Sequence, residues 1–335
     1  MTSKIKAISH HFPATLLTNT DLAAEFPNSS AEQIYRLSGV KQRYIAAPEE
    51  TPSDLAYFAA KNLFHAEPSV QNNIDALLFV SEGLDYKAPA TACILHQRLG
   101  LPQHCLSLDI PSGCTGFING LQVAKSLIAG NASINNVLLL TAEAASKVVH
   151  PKDLNLRMLF SDAACATLIT RSQTNGIGNF INGTAGNGAK ALWVERSGFR
   201  HPVDKKWFEK NSGAPNSMQL GQMHMQGDEV LYFSLTKVPT LIADTLKINK
   251  VSDNDIRLYI FHQASKIILK SLQRKCRISE SKFYYHYEDI GNTVSSTIPI
   301  ALQHAIINKI LVEGDKVMLV GFGIGFAWGA TIIEV

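Results

Sequence analysis

The sequence predicts an α/β fold of two duplicated β-α-β-α-β halves in a layered α-β-α-β-α arrangement. Three observations carry this. Short apolar strands alternate with longer helical patterns, which implies mainly parallel sheets covered by helices. The same five-element order occurs twice with nearly equal spacing, and internal duplication decides architecture. The helix pattern following Cys114 is apolar on several faces, so it belongs in a core.

The elements follow in order. In the first copy a strand at 75–80 precedes a helical stretch at 90–99. A strand at 106–110, a helix from 115 to about 129 and a strand at 137–141 complete it. Phe117, Leu121, Ala124 and Ile128 keep helical register in that helix, and Ile118, Val123 and Leu127 make its other faces apolar. The second copy reads as a strand at 256–261, a helical stretch at 264–276, a strand at 283–287, a helix at 295–310 and a strand at 316–321. The division falls at 1–171 and 172–335. Residues 172–216, rich in Gly, Asn and Ser with a charged stretch at 196–210, read as a surface insertion. The two halves are expected to pack their core helices together between two sheets.

Composition narrows the function. The 335 residues are 46% hydrophobic and 18% charged, which describes a globular chain with a large core. A net charge of +3 is too mild to imply nucleic acid. There is no leading segment of signal-peptide type and no apolar run of membrane-spanning length, so the cytoplasm is the expected location. The five cysteines, Cys93, Cys105, Cys114, Cys165 and Cys276, include no C-x-x-C pair. That argues against a disulfide framework and a zinc site, and it suits a reduced compartment. No metal is expected.

The chemistry concentrates at Cys114, in Asp-Ile-Pro-Ser-Gly-Cys-Thr-Gly-Phe, where a strand stops and a helix starts. Unpaired backbone N–H groups and the positive end of the helix dipole favour a thiolate there, and the thiolate is the nucleophile. A buried structural cysteine is the plainer alternative. Overlaying the halves puts the Gly291-Asn292 turn at the place equivalent to Cys114, and His262 just after the first strand of the second copy. All three lie at strand ends or helix starts near the pseudo-twofold axis, where open α/β sheets place their sites. Taken singly, His262 reads as a structural histidine and Asn292 as a turn-former; the shared placement points to chemistry.

These residues, with several others, resemble the β-ketoacyl-[acyl-carrier-protein] synthase III family of thiolase-fold condensing enzymes. The resemblance covers nearly the whole chain. It runs from Ser-Gly-Val-Lys-Gln-Arg-Tyr-Ile-Ala at 38–46 through His-Pro-Lys-Asp at 150–153 and Phe-Ser-Asp-Ala-Ala at 160–164. It continues through Phe-His-Gln-Ala-Ser at 261–265 and Gly-Asn-Thr at 291–293 to Gly-Phe-Gly-Ile-Gly-Phe-Ala-Trp-Gly at 321–329. It implies a triad of Cys114, His262 and Asn292. Cys114 would be acylated by a thioester primer, and His262 and Asn292 would stabilise the oxyanion formed when a malonyl thioester loses carbon dioxide. A second hole would use the Cys114 N–H and the N–H of Ile324, between Gly323 and Gly325. No cofactor is implied, only acyl-coenzyme A or acyl-carrier-protein and malonyl thioesters as substrates.

The departures from the family pattern carry information. Gln33, Leu37 and Leu154 stand where typical members grip coenzyme A with Trp and Arg, which favours a primer on a carrier protein. Ala88, before Pro89, stands where the acetyl-using type closes the pocket with Phe across a dimer, which favours a larger acyl group. Phe322 is expected in the same pocket. Ser265 replaces the Asn of the His-Gln-Ala-Asn motif, and Ser161 the Gly of Phe-Gly-Asp. Lys266, Lys270 and Arg274 share a helix face, with Lys275 and Arg277 nearby, as a docking surface for an acidic acyl carrier protein or as a solvated face. A homodimer is expected, with the 137–141 strand at its interface, and no nucleic-acid partner. The alternatives are an acyltransferase forming an ester or amide, and a non-catalytic partner in a heterodimer. The intact triad argues against both.

Overall fold

The computed structural model describes residues 2–174, 176–202 and 222–335. Its first half starts with β1 (Thr2–His11), then β2 (Thr15–Thr18), α1 (Asn19–Glu25), α2 (Ala31–Ser38) and β3 (Gln42–Ile45). There follow α3 (Pro52–Ala66), β4 (Ala76–Val80), α4 (Thr91–Arg98), β5 (Leu106–Ile110), α5 (Gly116–Gly130), β6 (Asn136–Glu143), α6 (Leu154–Arg157) and β7 (Ala163–Ser172). The second half has β8 (Ile177–Thr184), β9 (Leu192–Val194), β10 (Met223–Met225), α7 (Gly227–Asn249), β11 (Ile256–Phe261) and α8 (Lys266–Lys275). It ends with β12 (Phe283–Tyr284), α9 (Thr297–Ile307), β13 (Lys316–Gly323) and β14 (Ala327–Glu334).

Two five-stranded sheets repeat one another. Their orders are β1-β7-β6-β4-β5 and, read in the same sense, β8-β14-β13-β11-β12. In each, the last three strands of this order pair in parallel, and the first two join them through antiparallel pairing. The duplicated unit is therefore larger than the sequence pattern shows: β1-α3-β4-α4-β5-α5-β6-β7 answers β8-α7-β11-α8-β12-α9-β13-β14.

The interior parallel strands β4, β6, β11 and β13 are buried on both faces, which is why they read as apolar runs. In β4, Ala76, Leu78 and Val80 face the middle of the molecule, while Leu77 and Phe79 face α3 and α4. In β11, Leu258 and Ile260 point to the middle, and Tyr259 and Phe261 join the outer cluster with α7 and α8. The middle layer is α5 and α9, whose Phe117, Leu121, Ile298 and Leu302 are buried between the sheets. Each such side chain contributes about 1.5–3 kcal/mol. The expected five-layer arrangement is thus present. Among the described residues no helix is long and apolar enough to cross a membrane.

Four expectations are corrected. Within 172–216, Ile177–Thr184 is not an insertion but the edge strand β8, paired with β14; residues 203–216, with part of the charged stretch, lie outside the described residues. The strand expected at 283–287 stops at Tyr284, because the His286 N–H turns aside to the Gln263 Oε1 at 2.7 Å. The helix expected at 295–310 begins as a short 3-10 turn and is α-helical only over Thr297–Ile307. The 137–141 strand lies in β6, paired on both sides by β4 and β7 and buried, so it cannot be a dimer edge. β5 is an edge of this sheet, where Leu106 is 39% and Leu108 is 40% exposed.

Candidate active site

Cys114 lies just ahead of α5, after β5, and is 6% exposed. No side chain caps the first turn of α5, as the sequence reading supposed. Burial nevertheless pushes the Cys114 thiol up to about 12, against the expected thiolate. The backbone N–H groups of Ile324 and of Cys114 itself act on the sulfur in the opposite direction, while Glu82 and Glu143 raise it further. The helix start is real, but desolvation outweighs it. The two amides that reach the sulfur are the pair expected to form a backbone oxyanion hole.

The close approach of Ile324 needs Gly323. A Cβ at Gly323 would stand 2.6 Å from the Cys114 Cβ and 2.7 Å from its Sγ, and the residue has φ of +153°. Gly325, on the other side, has φ of +131°. An apolar nest surrounds the cysteine: Ala145, Val149, Leu156, Phe160 and Val294, with Met223, Met225 and Ile324 against them. The methionines of β10 were not singled out from the sequence. Their only signal was an apolar–polar–apolar triplet far from every motif.

His262 follows β11 and is 2% exposed. Its backbone N–H bonds the Val320 carbonyl at 2.8 Å. Its Nδ1 meets the Thr297 hydroxyl at 2.8 Å. Burial pulls the imidazole down to about 3, with the Val294 carbonyl acting the other way, so the ring is neutral at working pH. Phe322, expected to line a substrate pocket, is fully buried and stands edge-on to His262, with ring centroids 5.7 Å apart. It backs the histidine.

Asn292 sits in a turn stitched to the first half. Its N–H bonds the Leu159 carbonyl at 2.8 Å, and its carbonyl accepts the Ser161 N–H at 3.0 Å. Gly291 makes this possible: its φ is +70°, and a Cβ there would lie 3.0 Å from the Leu159 carbonyl oxygen. The Asn292 Oδ1 accepts the Val294 N–H at 2.9 Å, and its Nδ2 donates one hydrogen to the Ala264 carbonyl at 3.1 Å. The second Nδ2 hydrogen is left for a ligand. The structure therefore brings Cys114, Gly323 and Ile324 into contact, and ties His262 to Asn292 through Thr297, Val294 and Ala264.

The departures have local explanations. Ser265 caps α8, its Oγ accepting the Ile268 N–H at 3.3 Å. Ser161 Oγ accepts the Tyr44 N–H at 2.8 Å. Arg43, of the 38–46 motif, is fully buried, and its Nε donates to the Met158 carbonyl at 3.0 Å. The Gln33 side chain is spent in a capping box on the Ser30 N–H, Leu37 is exposed and Leu154 half-buried. Ala88 and Pro89 are exposed on the loop after β4, outside the buried nest. On α8, Arg274 and Lys275 are exposed. Lys270 pairs with Glu280 at 3.2 Å, and Lys266 lies over the Tyr35 ring.

Two carboxyls beside the cysteine escaped the sequence reading. The Glu143 Oε1 takes the Glu82 N–H at 3.2 Å and the Ser295 hydroxyl at 3.3 Å. Glu82 is exposed as a residue, yet its carboxylate is crowded by protein, with an oxygen 2.9 Å from where a Gly113 Cβ would be. This desolvation lifts it to about 7, opposed by the Gly113 N–H. Above that pH the ionised carboxylate disfavours a neighbouring thiolate; below it the group is neutral. Glu82→Gln is therefore expected to speed alkylation of Cys114 several-fold at pH 8.5 and to leave it near wild type at pH 6. A rate ratio that does not change with pH would contradict this.

Two five-stranded sheets enclosing paired core helices, with a buried cysteine at the start of one of them, define a thiolase-like fold. Residues 108–186 match the model for 3-oxoacyl-[acyl-carrier-protein (ACP)] synthase III, and residues 246–335 match that for its C-terminal part. A β-ketoacyl-[acyl-carrier-protein] synthase III of Campylobacter fetus subsp. fetus is 32% identical over 333 residues, 99% of this chain and 98% of that protein. A crystal structure of a 3-oxoacyl-(acyl-carrier-protein) synthase III superposes with a TM-score of 0.94 at 36% identity, covering 100% of both chains. The corresponding synthase of Burkholderia xenovorans gives 0.91 at 29% identity, over 100% of this chain and 94% of that one. This chain belongs to the 3-oxoacyl-[acyl-carrier-protein] synthase III family.

Proposed function

We propose that this chain joins an acyl thioester primer to a malonyl thioester, carried on acyl carrier protein, by decarboxylative Claisen condensation through an acyl group on Cys114. The observation that carries the reading is the Cys114 sulfur: it lies in an apolar nest and is reached by the backbone amides of Ile324 and Cys114. That nest suits an acyl chain, and the two amides suit the oxyanion of its thioester carbonyl. His262 and Asn292 serve the second half-reaction. Loss of carbon dioxide places negative charge on the malonyl thioester oxygen, and a neutral imidazole N–H and an amide N–H stabilise it without adding charge of their own. Each such donor is worth about 3–4 kcal/mol.

The primer is larger than acetyl and arrives on a carrier protein. Gln33, Leu37 and Leu154 offer coenzyme A neither an aromatic ring nor a cation, and such a contact is worth about 0.5–2 kcal/mol. Arg274 and Lys275 give an exposed basic face for an acidic carrier. Intact-mass measurement tests the reading. Acetyl, hexanoyl and octanoyl groups are presented on coenzyme A and on carrier protein, and acylation of the enzyme is followed with time. Fastest loading is expected with the longer groups on carrier protein. No acylation by any thioester would overturn the condensation reading; acetyl-coenzyme A as the best donor would overturn the primer reading.

The working unit is a homodimer through β5. An unpaired edge strand carrying exposed leucines is an unmet pairing surface, and a second copy meets it antiparallel. Leu108→Arg is expected to give a monomer by light scattering, with acylation reduced because the 81–90 loop beside this edge loses its support. A wild-type monomer with full activity would refute the assembly.

A further inference from the structure

The turn that carries Asn292 has a feature that the proposed reaction does not account for. Val294 has φ of +51°, the left-handed region, which a β-branched residue rarely enters. Backbone held this way costs on the order of 1–3 kcal/mol and persists where the surroundings impose it. Both polar groups of Val294 are used. Its N–H fixes the Asn292 Oδ1 at 2.9 Å, and its carbonyl oxygen stands 3.0 Å from the Thr297 hydroxyl oxygen. The same hydroxyl stands 2.8 Å from the His262 Nδ1. Thr297 is fully buried at the first position of α9.

One hydroxyl proton thus faces two acceptors, and the choice decides what His262 can do. If the proton goes to the Val294 carbonyl, the Thr297 oxygen must accept from an Nδ1–H, and Nε2 is left as a bare lone pair. If it goes to Nδ1, the ring's single proton resides on Nε2. Nδ1 is the nitrogen that meets Thr297, so Nε2 is the one left for a substrate.

We infer that Thr297 is a positioning residue that donates its hydroxyl to the His262 Nδ1 and thereby holds the imidazole as the Nε2–H tautomer, the form able to donate to an oxyanion. The inference rests on the proposed role of His262 as donor to the malonyl thioester oxygen. It assigns the strained Val294 a double part. Its N–H aims the Asn292 amide, and its carbonyl is the competitor that would capture the ring proton if the threonine hydroxyl were absent.

Thr297→Val removes the hydroxyl at nearly constant shape. Nδ1–H to the Val294 carbonyl then becomes the remaining arrangement, and Nε2 loses its proton. Condensation measured by carbon dioxide release should fall on the order of 10²-fold, with acylation of Cys114 by intact mass changed less than about threefold. Thr297→Ser should restore condensation. Nitrogen-15 spectra of imidazole-labelled protein should show protonated Nε2 in wild type and protonated Nδ1 in Thr297→Val. A wild-type spectrum with the proton on Nδ1 would overturn the inference even if the valine variant failed to fold. So would wild-type condensation in Thr297→Val, or equal loss in both half-reactions. Wild-type protein that no thioester acylates would instead defeat the underlying reaction and leave the tautomer to be read from the spectrum alone.

Discussion

Cys114→Ala is expected to abolish acyl-enzyme formation and, with it, condensation, a loss on the order of 10⁴-fold or more, as removal of a nucleophile gives. The other thiols are poor substitutes. Burial raises Cys105 and Cys276 to about 11 and lifts Cys165 as well, and none of the three has the amide pair that reaches Cys114. Cys93 is exposed on α4 and is the useful control, because a reactive thioester can modify an accessible thiol without catalysis. Peptide mapping after a short incubation should place the acyl group on Cys114 alone. An acyl group on Cys93 in place of Cys114, or undiminished condensation by Cys114→Ala, would refute covalent catalysis at this residue. The neutral thiol, held up by burial, also means that acylation should accelerate across the whole alkaline range, since the titration midpoint lies far above pH 8.

The strands legible in the sequence were those written as short apolar runs. The strands at 106–110 and 256–261 coincide with β5 and β11 because an apolar run bounded by turn residues has few other uses. β8 reads as part of a surface insertion because its Gly and Asn residues give no strand pattern: of Ile177–Thr184 only Ile177 is buried, and β14 supplies the pairing. The β6 run reads like any interior strand, and position in a sheet is a property of topology that hydrophobicity does not encode. β5, an edge of the same sheet, alternates Leu106 and Leu108 with Ser107 and Asp109 and leaves both leucines partly uncovered. At the site, Cys114, His262 and Asn292 were visible through their motifs and the duplication. The charge state of Cys114 was not, because the helix start is written in the sequence and the depth of burial is not. Glu82 and Glu143 were missed for the same reason: 61 positions apart, they meet only when β4 and β6 pair, and there the Glu82 N–H reaches the Glu143 carboxylate.

Removing the oxyanion donors should separate the two half-reactions. His262→Ala and Asn292→Ala are each expected to lower decarboxylative condensation by about 10²–10³-fold, the cost of one preorganised donor. Acylation of Cys114 should suffer less, because its carbonyl draws on the Ile324 and Cys114 amides, which neither substitution touches. Asn292→Asp sharpens the test. It keeps the shape and the acceptor for the Val294 N–H at 2.9 Å, but it loses the Nδ2 hydrogens and brings a negative charge toward the developing oxyanion. It should therefore condense no better than Asn292→Ala while holding the turn more firmly. Rates of acyl-enzyme formation by intact mass and of carbon dioxide release from a malonyl thioester, measured on the same preparations, decide the matter. Equal losses in both would mean that His262 and Asn292 act on the fold or on the thiol. Faster condensation by Asn292→Asp than by Asn292→Ala would show that the amide is not a donor.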